Sequence, residues 1–185
     1  MTRRLVAAGV LVCVVAVSVI AIGSSRRAQI GPRGGRRSPH ETSSSVVDGA
    51  RISVTYGRPY MRERTIFGRL VPYDLVWMPG ADEATIFDTS ADLRFGKVLL
   101  PAGSYSLYTL PGETSWKLII NKETGQWHTS YFEGEDFTRL DMTIEHLPQP
   151  VEQLTIAAAP RSGGGGRLQL EWETTRVSVP FTVKK

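Results

Sequence analysis

The chain has 185 residues, 41% of them hydrophobic and 22% charged, and a formal net charge of +4. That length suits one ordinary domain with a tail, and that apolar share suffices to bury a core. The basic balance is confined to the start: residues 1–40 hold seven arginines and no acid, leaving 15 bases against 18 acids from Glu41 onward. A nucleic-acid-binding domain would gather Lys and Arg on its folded face, so this balance argues against nucleic acid as a partner.

Arg3 and Arg4 precede Leu5–Gly23, a stretch of 19 uncharged and nearly all apolar residues. A basic start followed by an apolar run is the usual export signature, and the length also suits a membrane span. Ala21-Ile22-Gly23 puts small residues where a signal peptidase cuts. Residues 1–23 therefore read either as a cleaved signal peptide or as a single-pass anchor. Arg26, Arg27, Arg33, Arg36 and Arg37 follow, a flank that the positive-inside rule would keep cytoplasmic. The N-terminal signature outweighs it, and the expected location is the cell envelope: exported, or on the cell membrane with the domain extracytoplasmic. Cys13, the single cysteine, follows Val12 inside the apolar run. That excludes an intrachain disulfide and does not match a lipoprotein cleavage site. Residues 24–48 are rich in Arg, Ser, Gly and Pro without aromatics, and read as a basic flexible linker.

From residue 49 to 185 the apolar period is two. Ile52, Val54 and Tyr56 alternate with Arg51, Ser53 and Thr55. Leu140, Met142 and Ile144 repeat the pattern, as do Leu168, Leu170 and Trp172, and then Val177, Val179 and Phe181. Such alternation marks half-buried antiparallel strands. Pro180 cannot donate to a ladder, which puts the last strand at an edge there. Gly96-Lys97 suits a tight hairpin, Pro111-Gly112 and Gly125 mark turns, and Gly163–Gly166 links two strands. Nine or ten strands are expected, with at most a helical turn near 69–77. The fold class is all-β, a single antiparallel β-sandwich or barrel-like domain after an N-terminal membrane segment.

Residues 56–85 read YGRPYMRERTIFGRLVPYDLVWMPGADEAT. Further on come LPAGSYSLYTLPG at 100–112, WKLIIN at 116–121 and LEWE at 170–173. In this order the motifs resemble a bacterial family known as domain of unknown function 2911, over residues 45–185. The resemblance implies an export signal and brings no established activity. Two departures stand out. The family pattern has Arg after the Trp of V-W, where Met78-Pro79 stands, and Asn before the Glu of G-A-x-E-A-T, where Asp82 stands.

No two of His40, His128 and His146 share metal-ligand spacing, and the domain has no cysteine, so no metal and no cofactor is expected. Phosphate-loop and nucleophile-elbow patterns are missing as well. Polar and aromatic groups concentrate at Arg58, Arg64, Tyr73, Trp77, Asp82 and Glu83, in a long irregular segment of the kind that often carries function. In the functional reading Arg58 and Arg64 bind an anionic group, Tyr73 or Trp77 stacks on a ring, and Glu83 accepts hydrogen bonds or a proton. In the structural reading Arg58 or Arg64 pairs with Glu83 and pins the segment, while Phe67, Tyr73 and Trp77 plug one end of the core. Trp127 and His128, beside a turn, offer an exposed binding surface, whereas Trp116 and Trp172 fall on apolar strand faces. A glycosidase pair would need a carboxylate opposite Glu83, from Asp88, Asp92, Glu133 or Asp136. Without a paired nucleophile and base, the reading leans away from an enzyme and towards a tethered binding module of the envelope. Its expected ligand is a small anion or a glycan. A hydrolase acting through Glu83 with His128, and a purely structural envelope domain, are the alternatives.

Overall fold

The computed structural model describes residues 38–184, and Gly35–Lys185 forms one compact unit. The signal peptide or anchor expected at 1–23 and most of the expected linker fall outside the described residues. Among the described residues no helix is long and apolar enough to cross a membrane.

Period-two patterning produces nine strands: β1 His40–Val47, β2 Ala50–Gly57, β3 Ile86–Thr89, β4 Leu93–Phe95, β5 Val98–Leu100, β6 Gly103–Pro111, β7 Trp116–Asn121, β8 Asp136–Pro160 and β9 Gly166–Val183. They form one sheet in the order β1-β2-β3-β6-β7-β8-β9-β4-β5, with every neighbouring pair antiparallel. The all-β expectation holds, and its architecture is a single sheet that does not close into a barrel. The turn expected near 69–77 is not helical. The single helical turn among the described residues is a 3₁₀ turn at Glu133–Glu135.

The sheet folds over its apolar face because β8 and β9 are long enough to serve two sets of neighbours. The first part of β8 pairs with β7 up to Met142, and the rest pairs with β9 from Thr143 to Pro160. Its register shifts between His146 and Val151 and again between Val151 and Thr155. Pro148 and Pro150 fall there without N–H donors, and Glu173 on β9 has a φ of +53°. Irregularities of this kind bend a ribbon that would otherwise run on straight. The bend brings the second half of β8 against the end of β2. The N–H of Ile156 donates to the Tyr56 hydroxyl at 2.8 Å, Met61 N–H to Glu152 O at 2.7 Å, and Leu154 N–H to Pro59 O at 3.0 Å. Ile52, Val54, Phe87, Leu107, Ile156 and Trp172 are all buried in the core enclosed this way.

Two boundaries differ from expectation. β1 starts at His40, inside the stretch read as linker, and pairs along its length with β2. Its sequence HETSSSVV lacks an apolar alternation because it is the first strand of the sheet and leaves most of its side chains partly or fully exposed. The turn to β2 is Asp48-Gly49, with φ of +46° and +86°, the type I′ geometry that favours this dipeptide. Pro180 lies in β9, an interior strand, but between the last pair with β8 at Ser178 and the first with β4 at Thr182. Its missing donor thus costs no ladder bond.

Residues 58–85 connect β2 to β3 and pack back onto the sheet. Phe67 meets Trp77, Trp116 and Trp172 edge-on, at 6.0, 4.9 and 6.4 Å between centroids, and Trp77 stacks on Trp172 at 6.1 Å. The backbone of the connection approaches so closely that a Cβ on Gly57 would collide with the Ala81 carbonyl oxygen. Gly57→Ala must push one backbone off another. It should lower stability by about 3 kcal/mol, measured by urea unfolding at unchanged m-value.

Candidate functional site

The residues singled out in the connection do not converge; they go to separate places. Arg58, at the end of β2, is a structural clamp. Its Nε donates to Leu154 O at 3.0 Å and its Nη2 to Thr155 Oγ1 at 2.9 Å, while Nη1 pairs with Glu41. In place of the pairing of Arg58 or Arg64 with Glu83 weighed from the sequence, Arg58 takes Glu41, on β1. Trp77 belongs to the core: its backbone pairs with Thr109, at 2.8 Å and 2.7 Å, and its ring lies on Trp172. Trp116 and Trp172 are buried, as their strand faces imply. Tyr73 sits at the surface, its ring against Gly68.

Glu83 meets a partner that the linker reading had set aside. His40 Nε2 lies 2.7 Å from Glu83 Oε2. Glu83 bridges to Trp127, with Ala84 N–H donating to Gln126 O at 3.0 Å and His128 N–H to Asp82 O at 3.0 Å. Residues directly opposite in such a bridge share a face, so Glu83 neighbours Trp127. His128 does not turn to Glu83; its Nδ1 lies 2.7 Å from the same Asp82 carbonyl. A carbonyl can only accept, so that nitrogen carries the proton. Asp82 has a φ of +69°, a left-handed conformation that Asn and Asp tolerate best. The family's Asn and this chain's Asp82 therefore meet the same backbone demand. The other departure is also structural: Met78 is buried and its sulfur accepts the Thr85 N–H at 3.0 Å. Among the described residues His40 Nδ1 and Asp82 Oδ2 are buried without a hydrogen-bond partner, an arrangement that costs stability.

A buried polar network holds the loop bearing Trp127 and His128. Asn121 Nδ2 donates to Phe132 O at 2.8 Å and to Asp136 Oδ1 at 2.9 Å, and Asp136 Oδ2 accepts from the Tyr131 hydroxyl at 2.6 Å. Gln126 Nε2 donates to the Tyr108 hydroxyl at 2.7 Å. The carboxylates weighed as partners for Glu83 are engaged elsewhere. Asp88 pairs with Ser104, Asp92 accepts the Ala102 N–H, and Glu133 and Asp136 bind Arg139. Among the described residues no group of three His, Cys, Asp or Glu could hold a metal ion.

Arg64 stands apart from these, on a turn that sequence reasoning only half identified. Arg62 and Glu63 have φ of +51° and +58°, and Arg64 N–H closes the turn on Met61 O at 3.2 Å. Two successive left-handed residues that are neither Gly, Asn nor Asp are costly, and strain of this kind gathers at functional sites. Arg64 spends Nε on Met61 O and Nη2 on Tyr60 O, at 2.8 and 2.6 Å. The Arg62 backbone N–H donates to Glu152 Oε1 at 2.9 Å, and the residue is exposed. Ser38, Pro59, Tyr60, Arg62 and Arg64 line a depression of about 230 Å³. Among the described residues neither guanidinium forms an ion pair with a carboxylate. Ser38, Tyr60 and Arg62 were not among the candidates, because nothing in the sequence placed residue 38 beside residue 62. The Asp48-Gly49 hairpin signal, followed backwards from β2, would have brought β1 with His40 and Glu41 into the domain.

Two stability tests separate clamp from contact. Arg58→Ala strands two acceptors and a carboxylate, and should cost about 3 kcal/mol. Glu83→Ala removes the contact with His40 Nε2 at a partly exposed site, and should cost about 1 kcal/mol. Equal losses by chemical denaturation would show that Arg58 is no more of a clamp than Glu83. The tyrosines set an alkaline limit. Burial raises the pKa of Tyr56, Tyr108 and Tyr131 above the ordinary 10.0, and for Tyr131 the hydrogen bond to Asp136 adds to the rise. Between the ordinary and the raised value the folded state holds protons that the unfolded state has lost, so stability falls as pH rises. Melting temperature should be flat up to about pH 9 and decline beyond pH 10, and Tyr131→Phe should shallow that decline.

Among known proteins, the model of the family described as "Protein of unknown function (DUF2911)" matches residues 38–181. No curated protein and no solved structure matches the chain.

Proposed function

We propose a binding function for this chain, which belongs to the DUF2911 family of proteins of unknown function: it is a non-catalytic module that takes a small oxyanion in the depression between Ser38, Tyr60, Arg62 and Arg64. The observation that carries this reading is the strained turn at Arg62-Glu63, beside which two guanidiniums without carboxylate partners among the described residues line one concavity of about 230 Å³. Guanidinium forks match the planar, bidentate geometry of carboxylate and phosphate. Arg64 is held by two backbone carbonyls, so little side-chain freedom is lost when an anion arrives.

Catalysis is the weaker reading. Glu83 is engaged by His40 rather than His128, and the carboxylates that could oppose it have partners elsewhere. The basic-then-apolar N-terminus supports an extracytoplasmic domain, tethered or exported. A glycan remains a weaker ligand than an anion, because Trp127 and Glu83 share a face without lining the depression.

The test is calorimetric or NMR titration with inorganic phosphate and with acetate. Wild type should bind one of them with a Kd on the order of millimolar, weakening as salt rises. Arg62→Gln should weaken binding about tenfold at unchanged melting temperature, because its guanidinium holds no part of the fold. Binding that survives both Arg62→Gln and Arg64→Gln would remove the proposal.

A further inference from the structure

The depression is larger than the oxyanion assigned to it. Its volume of about 230 Å³ is that of about eight waters at about 30 Å³ each. A phosphate has four oxygens, each no larger than a water, and so fills about half of that space. The lining divides in the same way. Arg62 and Arg64 supply the charge. Among the described residues Arg64 uses two of its five side-chain N–H groups on backbone carbonyls, and Arg62 uses none. The other lining residues are Ser38, Pro59 and Tyr60, which between them offer two hydroxyls, a pyrrolidine and a phenol ring. Tyr60 is 38% exposed. Its backbone is held by Arg64 Nη2 and by a bridge to Gln153, while its side chain makes no hydrogen bond or ring contact among the described residues.

We infer that the ligand is a phosphate monoester of a monosaccharide, its phosphate taken by Arg62 and Arg64 and its sugar ring by Tyr60, Pro59 and Ser38. The inference rests on the anion-binding reading of the depression and names the class of molecule that carries the anion. Charge selects the monoester. Two permanently charged guanidiniums match a group that carries about −1.5 to −2 at neutral pH better than a carboxylate or a phosphodiester with a single charge. Among the described residues no carboxylate lines the depression. Glu152 turns Oε1 to the Arg62 backbone N–H, and Glu63 is exposed outside the lining. Size and lining select the sugar. A phenol ring and a pyrrolidine give an apolar face for the C–H side of a pyranose, and two hydroxyls can exchange hydrogen bonds with its own. A nucleotide carries a base beyond its sugar and needs a cleft of about 300 Å³ or more.

The experiment is isothermal titration of the full chain in a neutral polyoxyethylene detergent. The probes are glucose 6-phosphate, its methyl phosphodiester, inorganic phosphate, acetate, glucose and adenosine monophosphate. Glucose 6-phosphate should bind about tenfold tighter than inorganic phosphate, and glucose alone should give no measurable heat. Affinity for glucose 6-phosphate should rise about fivefold between about pH 5 and pH 7.5, as the monoester loses its second proton near pH 6. The diester has no such proton, and should bind more weakly without that rise. Tyr60→Ala should bring glucose 6-phosphate down to the affinity of inorganic phosphate and leave inorganic phosphate unchanged. Four results overturn the sugar-phosphate inference and leave the anion site standing: no gain over inorganic phosphate, a gain that survives Tyr60→Ala, diester binding as tight as the monoester, or tighter binding of adenosine monophosphate. Binding of acetate alone does the same. Binding of none of these anions overturns both.

Discussion

Strand β8 belongs to two halves of the same sheet, and the molecule is organised around the bend that allows it. A 25-residue strand cannot run straight through a domain of this size, because a ladder rises more than 3 Å per residue. Pro148 and Pro150 interrupt the ladder, the register shifts twice, and Glu173 enters the left-handed region opposite the break. The local loss of pairing lets the sheet fold over its own apolar face, and the hydrophobic burial gained across that fold far exceeds the few hydrogen bonds given up.

The bend also creates the need for the connection between β2 and β3. Folding an open sheet leaves one end of the core exposed, and residues 66–77 fill it with Phe67 and Trp77 against Trp116 and Trp172. The backbone must then run close to its neighbours, which accounts for glycine at 57 and for the left-handed residues at 74 and 82. Arg58 binds the carbonyl and hydroxyl of β8 and the carboxylate of β1 at once. One guanidinium thereby ties the β1 end of the folded sheet to β8.

Most of the conspicuous residues of the connection are spent on that task, and what is left over is informative. Arg62 and Glu63 hold a strained turn that neither fills the core nor closes the sheet. Leu70, Tyr73 and Leu75 leave apolar surface in water. Strain without structural return, at a depression lined by Arg62 and Arg64, is the feature from which binding at this end of the domain is argued.

Residue periodicity alone determined the class of this protein. Alternation in β2, β8 and β9 marks strands because each face of a pleated strand meets a different medium, and the glycine turns at 96 and 125 follow from local dihedral demands. The burial of Trp116 and Trp172 was legible for the same reason. Partners were not legible, because a partner is a matter of distance after folding. Arg58 binds Glu41 and Glu83 meets His40 only since β1 joins the sheet, and β1 is polar because a first strand need bury little. The depression at Ser38 and Arg62 likewise unites residues that no local pattern connects. Whether a charged side chain becomes a clamp or a free guanidinium was decided by the tertiary fold, which alone determines which acceptors come within hydrogen-bonding reach.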